Sequence, residues 1–262
     1  MIVDLYPFTK IPAKAMIVRR SDFAVFYQVI VENLYAPLLK EIREGDVVID
    51  AGANIGLFSI LASFKVGKGG TVIAIEPEKE NLKLLNKNIE LNRINNIVVI
   101  PKALYDISGK KVSMKGEGVG AYVSEETEGD VETITLDEIT STLGLKPRIL
   151  KMDIEGSEGK ALLGGTSTIR FLEYVEMEIH DEENMRVVNE VLRDFKREDL
   201  KVENFNNVIK TFFMHPVLLL KIEATNNFST TKRVIRSSIN KIKTRNLRTA
   251  PFPIQVLYRK KL

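Results

Sequence analysis

Hydrophobic positions along the first hundred residues change their spacing regularly, which predicts strands separated by helices. Three short apolar runs are typical of strands buried on both faces of a sheet, and they lie at 46–50 ("DVVID"), 71–77 ("TVIAIEP") and 96–104 ("NIVVIPKAL"). Three longer runs have the spacing of helices with one apolar face, at 36–44, 56–65 and 78–93. Strands that alternate with helices indicate a parallel, doubly wound α/β sheet.

The second half of the chain continues this alternation after an irregular stretch. Residues 105–147 are rich in glycine, serine and charge, and they predict hairpin-like excursions, a strand at 131–136 and a short helix at 137–144. The elements expected after them are a strand at 148–156, a broken helix at 157–171, a strand at 173–180, a helix at 182–198 and closing strands at 200–205 and at 208–215 or 217–222. The total is about seven strands, too many for a flavodoxin-like unit.

Length and composition fit one sizeable α/β core with appended pieces. The chain has 262 residues, of which 44% are apolar, and we divide it into an N-terminal extension (1–35), one domain (36–222) and a basic C-terminal tail (223–262). No apolar run approaches the roughly 18 residues of a membrane span, and the first residues lack the layout of a signal peptide. The absence of cysteine excludes disulfides, thiolate metal sites and cysteine nucleophiles, and it is typical of a cytoplasmic protein.

Charge is distributed unevenly. Residues 221–262 hold 11 Lys/Arg and one acid, whereas the rest of the chain holds 27 Lys/Arg and 34 acids. Within the tail, Ile235, Ile239 and Ile242 have helical spacing among basic residues. Three interpretations stay open: the tail packs on the body of the protein, it lies on an anionic membrane, or it binds RNA through phosphates.

A glycine loop after the first predicted strand indicates a ligand site. Gly52 and Gly56 enclose the loop in "VVIDAGANIG", and Asn54 between them tolerates left-handed backbone. Glu76 ends the next strand, 20 residues after Gly56, where a carboxylate accepts hydrogen bonds from both hydroxyls of a ribose. We therefore expect a ligand that contains a nucleoside, although a plain loop with a solvated acid is the alternative.

The loop sequence discriminates between two kinds of nucleoside ligand. A dinucleotide calls for G-x-G-x-x-G and a pyrophosphate at the helix N-terminus, whereas this loop reads "GANIG". Asp50 precedes the loop and adds a negative charge, which suits a cationic ligand. S-adenosylmethionine carries a sulfonium and an ammonium and no phosphate, so a methyltransferase is favoured over a dehydrogenase.

Several segments together resemble the FkbM-type family of S-adenosylmethionine-dependent methyltransferases. They are "VVIDAGANIGLFSILAS", "VIAIEPEKENLKLLNKNIELN", "ITLDEI", "ILKMDIEGSEGKALLGG" and "VEMEIH", and the resemblance covers about residues 36–200. It implies a class I methyltransferase Rossmann-like fold: a seven-stranded, mostly parallel sheet with helices on both faces and a reversed last strand. Members of the family commonly methylate hydroxyls on sugars or natural products.

The resemblance also implies roles for particular residues. The cofactor's methionine end would contact Asp50, Gly52, Ala53, Asn54 and Gly56, its ribose Glu76, and its adenine the region of Ala103 and Leu104. Asp153 falls where class I methyltransferases place a residue that faces the methyl group.

Three side chains near the predicted site are candidates for catalysis: Asp153, Glu155 and His180. An alcohol needs a base to remove its proton; Asp153 and Glu155 share a face of their strand, and His180 has an ordinary pKa suited to proton transfer. The alternatives are that Glu155 caps the next helix and that His180 simply ends its strand. Asp153, Glu155, Glu178 and His180 also have the ligand types for a divalent metal, although no spacing signature demands one.

The sequence therefore predicts an O-methyltransferase acting on a small molecule or glycan. Two alternatives remain: an RNA methyltransferase that uses the basic tail, and a non-catalytic protein that keeps the nucleoside pocket. "MDIE" stands where amino-methylating enzymes of nucleobases carry Asp/Asn-Pro-Pro-Tyr/Phe, which favours oxygen as the acceptor.

Overall fold

The computed structural model describes residues 1–116, 122–124, 129–200 and 253–261. The strands in this part are β1 (Ile2–Asp4), β2 (Lys14–Met16), β3 (Val47–Ala51), β4 (Thr71–Ile75), β5 (Ile97–Ile100), β6 (Ala103–Leu104), β7 (Lys111–Lys115), β8 (Tyr122–Ser124), β9 (Val131–Ile134), β10 (Ile149–Met152), β11 (Tyr174–Ile179), β12 (Phe195–Asp199) and β13 (Ile254–Lys260). The α-helices are α1 (Tyr6–Thr9), α2 (Arg20–Phe26), α3 (Ala36–Glu41), α4 (Leu57–Val66), α5 (Lys79–Leu91), α6 (Leu136–Leu143), α7 (Glu158–Leu163) and α8 (Glu182–Val191).

The main sheet has seven strands in the order β12-β13-β11-β10-β3-β4-β5. Strands β11, β10, β3, β4 and β5 are parallel, and β13 runs antiparallel to both of its neighbours. The predicted fold class is thus confirmed: a seven-stranded, mostly parallel sheet with helices on both faces and a reversed strand. A smaller sheet, β6-β9-β7-β8, lies beyond β5 in the chain.

Two predicted elements are divided differently in the structure. The strand expected at 96–104 is split, because Pro101 has no N–H for the ladder; β5 ends at Ile100 and β6 joins the smaller sheet. The helix expected at 182–198 ends at Val191, and Phe195–Asp199 pairs with β13 as a strand. That partner lies more than fifty residues later in the chain, so local periodicity could not indicate it.

The last strand of the sheet comes from the segment that we expected to be a separate tail. Ile254–Lys260 pairs with β11 and β12, so the sheet extends beyond the predicted boundary at residue 222. The closing strands predicted at 200–205, 208–215 and 217–222 and the basic stretch 231–248 fall, apart from Leu200, outside the described residues.

The N-terminal segment is more ordered than its irregular sequence indicates. It contains the β1–β2 hairpin, α2 and a π-helical turn at Tyr27–Val31. Asn88 and Asn92 of α5 hold β2, because their side-chain oxygens accept hydrogen bonds from the backbone of Met16 (2.5 Å) and Lys14 (2.7 Å). Apolar side chains of the segment share one buried cluster with α3 and α4, so residues 1–35 pack directly on the sheet domain.

Two apolar cores cover the two faces of the main sheet. One includes the N-terminal segment and α4, and the other includes α6, α7 and α8. In the part of the chain that the structure describes, no helix combines the length and apolar character needed to cross a lipid bilayer.

Candidate active site

A cleft of about 920 Å³, which includes space open to solvent, lies at the carboxyl ends of the central strands. In parallel α/β sheets this edge is the usual ligand site. Its walls are the loop Gly52–Asn54 after β3, Glu76 after β4, Ala103–Leu104 and Asp153–Glu155 after β10, and side chains between Val25 and Tyr35.

The glycine loop lies against the loop that follows β10. Gly52 has φ +75°, and a Cβ there would lie 1.8 Å from the backbone oxygen of Asp153, so only glycine fits. Asn54 also has a left-handed backbone, with φ +51°. Gly56 does not line the cleft; it begins α4, and a Cβ there would collide with the side chain of Leu85. Its role is therefore in packing.

Glu76 presents a buried carboxylate at the cleft wall. It accepts hydrogen bonds from the backbone N–H of Asn54 (2.8 Å), the backbone N–H of Glu78 (2.9 Å) and the side-chain amide of Asn81 (3.3 Å). Burial raises the pKa of Glu76 to about 6, although these hydrogen bonds oppose the shift. The carboxylate is held in place and is ionised at neutral pH, as a ribose-binding acid must be.

Asp50 lies behind the cleft wall, which differs from our expectation that it contacts the ligand. It is fully buried, accepts a hydrogen bond from Ser59 (2.5 Å), and pairs with Lys151 at 3.1 Å. Lys151 also donates to the backbone oxygen of Gly52 at 2.8 Å. The charge argument from the sequence therefore fails at this position: Lys151 balances Asp50, and the pair supports the glycine loop.

Asp153 lines the cleft, as the sequence predicts, and is held by a residue that the sequence did not indicate. Its Oδ2 accepts a hydrogen bond from the hydroxyl of Tyr35 at 3.1 Å. Its Oδ1 is buried and has no hydrogen-bond partner among the described residues. Because an unpaired buried carboxylate oxygen is costly, this atom is a strong candidate for contact with a ligand.

Glu155 and His180 form a chain with Glu158 rather than facing the cleft together. The imidazole of His180 lies 3.1 Å from Glu155 through Nε2 and 2.9 Å from Glu158 through Nδ1. Burial opposes protonation of His180, but the two carboxylates outweigh it and raise its pKa to about 11. His180 is therefore an imidazolium at neutral pH. It cannot accept a proton, which argues against its expected role as base.

The alternative role of Glu155 as a helix cap is not seen. Helix α7 has Ser157 at its N-cap position, without a side-chain cap, while Glu155 has a left-handed φ of +53° and pairs with His180. A non-glycine residue in this region of backbone space is strained. The ion pair with His180 helps to hold Glu155 in that conformation.

Three of the four residues considered for a metal come together in the structure. Ligand atoms of Asp153, Glu155 and His180 lie within 4.8 Å of one another, and Glu178 is not part of this group. The imidazole of His180 is paired with Glu155 and Glu158, and a metal ligand must be a neutral imidazole, so a metal would have to displace the proton of His180. The arrangement fits an ion-pair network, and a metal at this site stays a prediction.

Ala103 and Leu104, which form β6 beyond the end of β5, line the cleft, in the region where the resemblance implies contact with the adenine. The side chains beside them at the wall, Met114 and Val123, are also apolar. This part of the wall offers flat apolar contact to a ring.

Sequence reasoning did not identify Tyr35, Lys151, Asn81 or Gln28, which also line the cleft. Lys151 alone had a signal, since it precedes Asp153 by two residues and so shares its strand face. Tyr35 had none, because its partner Asp153 lies 118 residues later in the chain.

The residues present fit S-adenosylmethionine. The cleft joins an acid for the ribose (Glu76), an apolar wall for the adenine (Ala103, Leu104) and a glycine loop that admits close backbone approach. The unpaired Oδ1 of Asp153 supplies an acceptor for a cationic or hydroxyl group.

Comparison with known proteins identifies relatives of this chain. The model of the methyltransferase FkbM domain matches residues 50–212. The hexuronic acid methyltransferase AglP of Haloferax volcanii is 29% identical over 164 residues, which cover 61% of this chain and 66% of that protein. The 31-O-demethyl-FK506 methyltransferase FkbM of Streptomyces tacrolimicus is 26% identical over 175 residues, which cover 53% of this chain and 67% of that protein.

The fold also matches a solved structure. A protein from Clostridium thermocellum, assigned as an rRNA methylase, superposes with a TM-score of 0.50 at 11% identity and covers 94% of this chain and 99% of its own. At this identity the match supports the fold alone.

Proposed function

The chain belongs to the FkbM methyltransferase family, which confirms the resemblance found in the sequence, and we propose that it transfers the methyl group of S-adenosylmethionine to a hydroxyl oxygen on a sugar, a glycan or another small molecule. When bound, S-adenosylmethionine supplies a methyl group on a positively charged sulfur. The observation that carries the proposal is the cleft itself, where the unpaired Oδ1 of Asp153 shares a wall with Glu76 and the glycine loop.

Three parts of the cleft would hold the cofactor. Glu76 would accept hydrogen bonds from the ribose, and Ala103 and Leu104 would contact the adenine. Gly52, Ala53 and Asn54 lie along the methionine end. Asp50 acts from behind through Lys151, and Gly56 starts the helix that follows.

Asp153 is the proposed base. Its Oδ2 is fixed by Tyr35, which would leave Oδ1 to accept the proton of the acceptor hydroxyl. The bound cofactor would supply the methyl group to that oxygen and would leave, with its sulfur–methyl bond broken, as S-adenosylhomocysteine. Positioning the hydroxyl and the methyl carbon at about 3 Å supplies much of the rate in such displacements. Glu155 lies beside Asp153 at the wall and is the candidate for binding a second hydroxyl of the acceptor.

His180 is proposed as a positioning residue. It reaches the cleft through Glu155, and its second nitrogen contacts the fully buried Glu158. This chain of contacts keeps Glu155 oriented without a proton transfer by His180 itself.

The two named relatives support the choice of acceptor class. According to their names, one is a methyltransferase of a hexuronic acid and the other a methyltransferase of 31-O-demethyl-FK506. The second name specifies an oxygen as the acceptor atom, and a hexuronic acid is a sugar acid that carries hydroxyls as well as a carboxylate. Since this chain spans 66% of the length of the first relative, the acceptor of this protein is a proposal.

Transfer of a labelled methyl group tests the proposal. The purified protein is incubated with labelled S-adenosylmethionine and a lysate of the source cell separated into carbohydrate, small-molecule, lipid and RNA fractions. Label is expected in a carbohydrate or small-molecule product, and it should resist mild alkali, because an ether survives conditions that cleave a methyl ester. The matched control is Asp153→Asn, which should incorporate little label. Label confined to RNA, or released by alkali, would contradict hydroxyl methylation of a small acceptor.

Two further expectations belong with this proposal. The basic C-terminal residues are candidates for contact with nucleic acid or an anionic membrane surface, on the support of their composition. The lack of cysteine supports a cytoplasmic location.

A further inference from the structure

An arginine of the N-terminal segment reaches the wall that holds Glu76. The side chain of Arg19 donates to the side-chain oxygen of Asn81 at 2.6 Å. Asn81 is buried, with 2% of its surface exposed, and lines the cleft. Its amide nitrogen donates in turn to Glu76 at 3.3 Å. Arg19 is therefore connected to the proposed ribose acid through one intervening amide.

Arg19 is itself held in place from several sides. Its Nε donates to Asp22 at 2.8 Å, and its guanidinium lies 3.7 Å from Glu78. Asp22 is fully buried and also accepts from the backbone N–H of Val18 and Arg19. The guanidinium thus has a fixed position at the start of α2, and the flexible side chain has lost most of its freedom.

Arg19 fixes the orientation of the Asn81 side-chain amide by donating a hydrogen bond to its oxygen. An asparagine amide has an acceptor oxygen and a donor nitrogen that can exchange by a half-turn. A guanidinium only donates, so the oxygen of Asn81 must face Arg19. The nitrogen then faces Glu76, a carboxylate that only accepts when ionised. Without Arg19 the amide is free to turn its oxygen toward Glu76, where two acceptors repel.

We propose that Arg19 is a positioning residue for the cofactor's ribose, acting through the amide of Asn81 on the carboxylate of Glu76. This inference rests on the proposed function, since it takes Glu76 as the ribose acid. It assigns part of the cofactor site to the N-terminal segment, in which Arg19 precedes Gly52 of the glycine loop by more than thirty residues. The chemical group that Arg19 governs is the pair of ribose hydroxyls.

Binding of two nucleoside probes to the full chain tests this assignment. Calorimetry compares S-adenosylhomocysteine with its analogue that lacks both ribose hydroxyls, for the wild type, Arg19→Met, Asn81→Leu and the control Arg20→Met. Arg20 is the neighbouring exposed arginine, so the control removes the same charge without touching Asn81. Thermal unfolding of each variant identifies any that do not fold, and Asn81→Leu tests the same relay if Arg19→Met fails.

The expected result is selective. Arg19→Met and Asn81→Leu should weaken the affinity for S-adenosylhomocysteine by roughly three- to tenfold, which is the effect of one misplaced hydrogen bond. Their affinity for the analogue should stay within about twofold of the wild-type value. Arg20→Met should bind both probes like wild type.

Different failures have different meanings. If the wild type does not bind S-adenosylhomocysteine, the proposed function is wrong. Suppose that the wild type binds S-adenosylhomocysteine more tightly than the analogue without ribose hydroxyls. If both variants keep that difference in affinity, or lose affinity for both probes equally, Arg19 has only a structural role and this inference is overturned.

Discussion

The hydroxyl of Tyr35 donates a hydrogen bond of 3.1 Å to Oδ2 of Asp153, 118 residues later in the chain. Burial, and then the charge of Asp153, raises the pKa of Tyr35 well above its ordinary value, so the hydroxyl remains a donor at all physiological pH values. The ring of Tyr35 packs edge-on against Phe58 and lies 5.3 Å from the ammonium of Lys151. The N-terminal segment therefore contributes a side chain directly to the part of the cleft that contains Asp153.

Replacing Tyr35 by phenylalanine should reduce methyl transfer about tenfold or more, because Asp153 loses the hydrogen bond that fixes its Oδ2 and with it the position of the carboxylate. The rate of labelled-methyl transfer into the accepting fraction measures this. The control is Tyr27→Phe, since Tyr27 is buried nearby with no hydrogen-bond partner for its hydroxyl among the described residues. Equal rates for Tyr35→Phe and wild type would show that Asp153 does not depend on this contact.

Gly52→Ala should destabilise the protein by well over 1 kcal/mol and remove cofactor binding. The added Cβ would meet the backbone oxygen of Asp153 at 1.8 Å, and the left-handed backbone alone costs about 1 kcal/mol for a residue with a side chain. Gly109→Ala is the matched control, with φ +79° and open space around its Cβ position. Chemical denaturation should show the backbone cost alone in Gly109→Ala; a similar cost in both variants would contradict the close approach.

The imidazole of His180 should not titrate between about pH 5.5 and 8.5. The pKa of His180 in the folded protein, about 11, lies above its ordinary value. The stabilisation that protonated His180 gains from Glu155 and Glu158 is therefore fully present below about pH 6.5, and it is lost as pH rises through 11. NMR of the imidazole nitrogens measures this, and His215→Gln assigns the signals because the chain has two histidines. A midpoint near the ordinary value would restore His180 as a candidate base.

Glu176→Gln should make stability less dependent on pH. Burial raises the pKa of Glu176 to about 7 from 4.5, and its oxygens accept from the backbone of Leu38 and the amide of Gln255. Protonation therefore favours the folded state: this stabilisation is present below about pH 4.5 and is lost as pH rises through 7. Between pH 5 and 8 the wild type should lose up to about 3 kcal/mol more than Glu176→Gln in urea titrations. Parallel pH curves would contradict the buried, protonatable state of Glu176.

Local sequence patterns predicted much of the fold and the positions of several residues on the Glu76 side of the cleft. Buried strands have continuous apolar runs, and the acid after the second such strand could be located by counting, so Glu76 was correctly placed after β4. Its contact with a ribose stays a prediction. The strand at 195–199 was missed because it depends on pairing with a distant strand. The split at Pro101 had a local signal, since proline has no N–H for the ladder, but the sheet that Ala103–Leu104 joins could not be predicted locally.

The catalytic side was predicted only in part, for a physical reason. Lys151 and Asp50 lie opposite each other in neighbouring strands, and this register brings a balancing charge to an acid that looked free in the sequence. Tyr35 and Arg19 reach their partners through tertiary packing, which has no periodic signal along the chain.

Binding of S-adenosylhomocysteine to wild type and Glu76→Ala, measured by calorimetry at neutral pH, tests the central claim most directly. The wild type should bind at one site with micromolar affinity, and Glu76→Ala should weaken it by about 1–3 kcal/mol, the usual effect of losing hydrogen bonds to a charged group. Glu80→Ala, an exposed acid on the following helix, should bind like wild type. Unchanged affinity in Glu76→Ala would contradict the assignment of this cleft to the cofactor's ribose.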